Sequence, residues 1–155
     1  ILKRVCTMVK NLLMGIGNPL RSDDGAGSYI AQHFKANNWT VIDSKSAPEN
    51  FTSVIKKIHP ELLVIVDTVE MELEAGSIRV IPPEKIVSLQ LSTHYLSISY
   101  LIGYLTPYCQ KIILIGIQPL STKIGEGLSE PILKACHLFI NLLQEDKLNT
   151  IPLLI

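Results

Sequence analysis

Apolar residues in this chain fall into short blocks that switch between two periods. Five short blocks are rich in Ile, Val and Leu: residues 11–16, 39–43, 62–66, 77–81 and 111–117. Runs of this length suit strands, and the unbroken Leu62-Leu63-Val64-Ile65-Val66 suits a strand covered on both faces. Between the blocks the period becomes helical. Ala26, Tyr29, Ile30 and Phe34 form one stripe, and Phe51, Val54, Ile55 and Ile58 sit at i, i+3, i+4 and i+7. Ile98, Leu101, Ile102 and Leu105 mark a third stripe; Ile132, Cys136, Phe139, Ile140 and Leu143 mark a fourth. Asn50 is placed to cap the second helix and Pro60 to end it, while Ser129 with Pro131 opens the last. Ala75-Gly76 and Pro82-Pro83 bracket the fourth strand, and Gln118-Pro119 closes the fifth.

Strands alternating with helices predict an α/β fold, a parallel-rich sheet with helices on both faces. The chain of 155 residues reads as one domain, 1–155, with residues 1–9 an extension and 148–155 an apolar tail that docks on the body or meets another chain. Fourteen basic residues balance fourteen acidic ones, so no charge excess points to nucleic acid or a membrane surface. No apolar run approaches a membrane span, and the N-terminus lacks a signal-peptide core. Three cysteines stand in no metal-like spacing; Cys109 and Cys136 read as buried thiols of a protein in the reducing cytoplasm.

The first strand runs into Gly15-Ile16-Gly17-Asn18-Pro19-Leu20-Arg21-Ser22-Asp23-Asp24-Gly25-Ala26-Gly27. Open α/β sheets hold ligands at such strand-to-helix turns. A dinucleotide fingerprint needs a third glycine at position 20, which is Leu, and no Walker lysine follows. Two adjacent carboxylates would repel a phosphate there. Asp23 reads as a helix N-cap. That role does not cover Asp24, whose charge suits a cation or a proton.

Two further residues fall at the carboxyl edge of the predicted sheet: Asp67, which closes the third strand, and His94 in Ser92-Thr93-His94-Tyr95. Alone, Asp67 reads as a turn residue and His94 as a helix cap. With Asp24 they make two carboxylates and an imidazole, a set suited to a divalent metal with open positions. His33, His59 and His137 have no acidic companion in a turn and read as surface or core residues. Glu70, Glu72 and Glu74 read as a solvated face.

Over residues 12–143 the chain resembles the nickel-iron hydrogenase maturation endopeptidases. The resemblance is carried by Gly15-Ile16-Gly17-Asn18 with Asp23-Asp24-Gly25-Ala26-Gly27, by Ser46-Ala47-Pro48-Glu49-Asn50, by Val64-Ile65-Val66-Asp67, by Thr93-His94 and by Gly116-Ile117-Gln118-Pro119. Asp-Asp and Ala-Pro-Glu-Asn are most similar to the branch that processes the large subunit of formate-hydrogenlyase-type hydrogenases. The resemblance implies a three-layer sandwich around a five-stranded mixed, mostly parallel sheet of order 2-1-3-5-4, the fourth strand antiparallel. It implies one cut near the C-terminus of the nickel-loaded precursor of the [NiFe]-hydrogenase large subunit. It places metal ligation and catalysis on Asp24, Asp67 and His94, with nickel supplied by the precursor and no tightly bound cofactor. The expected partner is that precursor, met by a monomer in the cytoplasm, with no nucleic acid and no membrane insertion.

No Ser/His/Asp or Cys/His set is evident, so a covalent acyl-enzyme is not expected. A carboxylate could activate water, with the precursor's nickel polarising the scissile carbonyl or only docking the substrate. The same three residues would also serve a non-cleaving protein that senses or carries nickel, or a self-sufficient metallohydrolase.

Overall fold

The computed structural model describes residues 10–86 and 95–155. Strands β1 (Asn11–Ile16), β2 (Trp39–Lys45), β3 (Leu62–Thr68), β4 (Ile78–Ile81) and β5 (Lys111–Ile117) form one sheet of order β2-β1-β3-β5-β4. β1 runs parallel to β2 and β3, β3 runs parallel to β5, and β4 is antiparallel to β5. This is the order and direction that the resemblance implies. Helices α1 (Ala26–His33), α2 (Thr52–Ile58), α3 (Pro83–Ile86), α4 (Tyr95–Leu105) and α5 (Glu130–Gln144) complete the fold.

The two central strands are apolar on both faces because helices cover both. Leu13, Val64, Val66 and Ile115 meet Ile30 of α1 and Ile132, Cys136 and Phe139 of α5. On the other face Leu12, Met14, Leu63 and Ile65 meet Ile55 of α2 and Ile98, Leu101 and Leu105 of α4. Each such side chain contributes about 1.5–3 kcal/mol on burial. This double cover fixes the ends of β1 and β3 side by side, with Met14 opposite Ile65 and Gly15 opposite Val66.

Three local expectations change. β3 continues through Thr68, so Asp67 is a strand residue paired with Gly116 rather than a turn residue. Asn50 does not cap α2: Pro48 presets a tighter 3-10 turn, Pro48–Phe51, and Asn50 lies inside it. The stripe of α2 is correspondingly narrow, with Ile55 buried and Val54 exposed. α2 then ends at Ile58, with His59 in the left-handed region at φ 49°. The residue before a proline is disfavoured in the helical region, which places the stop at His59 rather than at Pro60.

The tail docks on the body. Val80 N–H donates to Pro152 O and Leu154 N–H donates to Val80 O, both at 2.9 Å, so the last residues cover the outer edge of β4. That removes an exposed strand edge.

Candidate active site at the carboxyl edge of the sheet

The turn after β1 is built on close backbone approach. Gly17 has φ +147°, and a Cβ there would run into the carbonyl oxygen of Asp24. A Cβ on Gly27 would meet the backbone of Ile16. Only glycine at these two points lets the chain fold back over the strand it has just left. Arg21 N–H to Asn18 O at 3.0 Å and Asp24 N–H to Arg21 O at 3.1 Å close the turn, and the 3-10 segment Ser22–Gly25 leads into α1.

This folding-back buries both carboxylates of the turn, in different directions. Asp24 is 6% exposed. Its Oδ2 accepts the Asn18 N–H at 3.0 Å and its Oδ1 accepts the Thr68 hydroxyl at 3.0 Å. Asp67 lies on the neighbouring strand, and its Oδ1 accepts the Thr68 N–H at 2.8 Å. Thr68 therefore donates to both carboxylates, to Asp24 through its hydroxyl and to Asp67 through its N–H. Among the described residues no cation pairs with Asp24. A buried carboxylate costs several kcal/mol in lost hydration, which a cation brought to the site offsets. Among the described residues each Asp24 oxygen accepts one hydrogen bond, which leaves each a lone pair to bind a metal or take a proton from water.

Asp23 is not an N-cap. It is fully buried, and its side chain leaves α1 without a side-chain cap bond. Its Oδ2 accepts Leu120 N–H at 3.0 Å and Ser121 N–H at 3.1 Å, and its Oδ1 accepts Ser129 N–H at 2.7 Å. The Ser129 hydroxyl lies 2.9 Å from both oxygens. Asp23 thus fastens the loop after β5 and the start of α5 to the turn after β1. Charge-assisted bonds to backbone N–H groups outweigh a local cap, because each satisfies a donor the loop would otherwise bury.

His94 lies outside the described residues; α4 begins at the next residue, Tyr95. His33 stacks on Tyr29 at 3.9 Å, His137 hydrogen-bonds the Tyr29 hydroxyl at 2.8 Å, and His59 packs edge-on to Tyr108. All three are exposed. Glu70, Glu72 and Glu74 are exposed as expected, and the Glu70 carboxylate also accepts the side-chain amide of Gln118 at 3.0 Å. That amide's oxygen accepts Met71 N–H at 2.7 Å, so the Gly116-Ile117-Gln118-Pro119 segment anchors the chain leaving β3. Burial pushes the Cys109 thiol up to about 11 and the Cys136 thiol up to about 12. Neither is a nucleophile at neutral pH.

The sequence reasoning missed Thr68 and the backbone of Asn18. A hydroxyl one residue beyond a strand-ending Asp was the available signal for Thr68. Nothing in the sequence singled out a backbone N–H.

Residues 27–146 match the HycI family, described as hydrogenase maturation protease. The chain is 37% identical over 126 residues to the hydrogenase 3 maturation protease of Escherichia coli K12, covering 79% of this chain and 81% of that one. A crystal structure of a hydrogenase 3 maturation protease superposes with TM-score 0.86 at 34% identity, over 95% of this chain and 97% of the other. The crystal structure of the [NiFe] hydrogenase maturation protease HycI from Thermococcus kodakarensis superposes with TM-score 0.80 at 28% identity, over 92% and 94%.

Proposed function

Since the chain belongs to the HycI family of hydrogenase maturation proteases and is an endopeptidase of hydrogenase maturation, we propose that its substrate is the nickel-loaded precursor of a [NiFe]-hydrogenase large subunit, cut once near the C-terminus. The observation that supports this reading is the Asp24–Thr68–Asp67 arrangement at the carboxyl edge of the sheet. Asp24, buried and with no cation beside it among the described residues, is a receptor for one, and Asp67 lies on the neighbouring strand. In this reading the cation is the nickel that arrives with the precursor. Asp24 and Asp67 offer oxygen ligands, and His94 offers the imidazole that suits nickel best. The protein keeps no metal of its own between turnovers and works as a monomer in the cytoplasm. No helix among the described residues is long and apolar enough to cross a membrane.

The chemistry follows from the same geometry. Thr68 and the Asn18 N–H fix the orientation of the Asp24 carboxylate, so no reorganisation is needed when substrate arrives. A carboxylate with a free lone pair accepts a proton from water as it attacks the scissile carbonyl. Nickel of the substrate polarises that carbonyl. With the Cys109 and Cys136 thiols protonated and buried, attack by water is the route the described residues favour.

The test is incubation of the purified chain with nickel-loaded and nickel-free precursor, followed by intact mass measurement. A shortened product from the loaded precursor alone is expected. No shortening of either precursor would overturn the proposed substrate, and equal shortening of both would overturn the role of nickel.

A further inference from the structure

Around the turn that carries Asp24, three large apolar side chains point to solvent. Leu20 is 61% exposed, Leu120 is 63% exposed and Ile124 is 87% exposed. They come from two segments a hundred residues apart in sequence, yet the two are tied together. Ser22 N–H donates to Gly125 O at 2.8 Å, Gly125 N–H donates to Leu20 O at 2.9 Å, and Asp23 N–H donates to Ser121 O at 3.1 Å. The Ser22 hydroxyl adds a bond to Lys123 O at 2.8 Å. Asp23 holds the same loop from below through Leu120 and Ser121. The three side chains therefore stand on a fixed ledge, flanked by the exposed charges of Arg21, Lys123 and Glu126. An apolar centre with a charged rim is the anatomy of a protein-binding surface.

The geometry points to this ledge as the docking surface for the folded body of the precursor. The inference rests on the proposed substrate and adds how that substrate is held. Two observations choose the occupant. The ledge adjoins the proposed site, because Leu20 and Asp24 belong to one turn, whose start at Gly17 and Asn18 packs on Asp24. A protein that presents its scissile bond to Asp24 has the exposed Leu20 four residues away on the same turn. The size also fits. Three aliphatic side chains present on the order of a few hundred Å². That is well short of the ~1,200 Å² total of a stable dimer and suits a transient enzyme–substrate contact. Because its backbone is already held by hydrogen bonds, docking orders little and its affinity is not spent on fixing loops.

The experiment compares wild type with Leu20→Ser, Leu120→Ser, Ile124→Ser and the triple variant. Leu138→Ser, at a 54% exposed position on the outer face of α5, is the control. Processing kinetics and direct binding are both measured with nickel-loaded precursor, and thermal unfolding checks the fold. The triple variant is expected to raise KM and weaken binding about tenfold, with kcat within about twofold and an unchanged unfolding midpoint. The control should match wild type. Unchanged KM and binding in the triple variant would overturn the ledge while leaving the peptidase reading intact. A wild-type chain that binds precursor through the ledge but does not shorten it would overturn the peptidase reading and leave the ledge standing. A concentration-dependent wild-type dimer that the triple variant abolishes would assign the ledge to a second copy instead.

Discussion

Asp23 and Asp24 are consecutive, chemically identical and both buried, yet they serve two different regions of the molecule. Asp23 faces the loop after β5 and accepts three backbone N–H groups and one hydroxyl there. Its bonding capacity is spent on structure. Asp24 faces the end of β3 and accepts one N–H and one hydroxyl, one on each oxygen. Among the described residues nothing else takes up its remaining lone pairs, which are available for chemistry. The lesson is that burial alone does not separate a structural carboxylate from a reactive one. What separates them is whether the protein itself satisfies the charge or leaves that to an incoming group.

The comparison breaks most completely if the turn is lost. Gly17→Ala puts a Cβ against the Asp24 carbonyl in a backbone conformation that L residues avoid. It should destabilise the fold by about 3 kcal/mol or more and remove processing as well, since both carboxylates hang from this turn. Thermal unfolding and a processing assay report the two effects; a wild-type midpoint would show that the turn relaxes without cost.

Ser129→Ala sharpens the structural side. It deletes the one hydroxyl that approaches both Asp23 oxygens but leaves the backbone bonds, so about 1–2 kcal/mol of stability should go. Processing per folded molecule should not change. Parallel loss of activity at a temperature where the variant is fully folded would make Asp23 part of the reactive region.

On the reactive side, Thr68→Val removes the hydroxyl from Asp24 while keeping the shape and the N–H to Asp67. Processing should fall about tenfold, and Thr68→Ser, which restores the donor, should recover most of it. No recovery by Ser would show that the packing of Thr68, not its hydroxyl, is what matters.

The smallest effect comes from residues outside both regions. The folded state holds the Cys109 and Cys136 thiols near 11 and 12, above the ordinary value of 9.0. Their contribution to stability is complete below about pH 9 and declines as pH rises from there toward 11 and 12, where only the unfolded chain releases the protons at first. Unfolding midpoints between pH 7 and 10 should stay level to about 9 and then fall. A midpoint that rises above pH 9 contradicts the burial of these thiols.

How far the sequence could be read follows the range of the interactions. β1, β5 and the buried face of α5 were legible at residue level, because local periodicity states them and the packing agrees. The place of Asp24 in a turn after a strand was legible because the glycines beside it are a local fact, while its role stays part of the proposal. The length of β3 was not, because Asp67 and Thr68 are held in the strand by pairing with Gly116 and Ile117 of a distant segment. The role of Asp23 was hidden for the same reason: its partner Ser129 lies 106 residues away, so a nearby helix start suggested a cap instead. His94 was chosen from sequence alone and lies outside the described residues, so its place beside the two carboxylates stays part of the proposal.

The division between the two aspartates is tested most directly by Asp23→Asn and Asp24→Asn, each measured for unfolding midpoint and for yield of shortened, nickel-loaded precursor. In Asp23→Asn the new amide N–H₂ faces backbone donors wherever it is turned, and the midpoint should drop by about 5–10 °C while the folded fraction still cleaves. In Asp24→Asn the amide oxygen can still face Asn18 N–H and its N–H₂ can donate to the Thr68 hydroxyl, so the midpoint should stay within about 2 °C. Its processing should fall about 10³-fold, because the charge for nickel and the acceptor for a proton are both gone. Near wild-type cleavage by Asp24→Asn, or an unfolding loss in it as large as that of Asp23→Asn, would contradict the account.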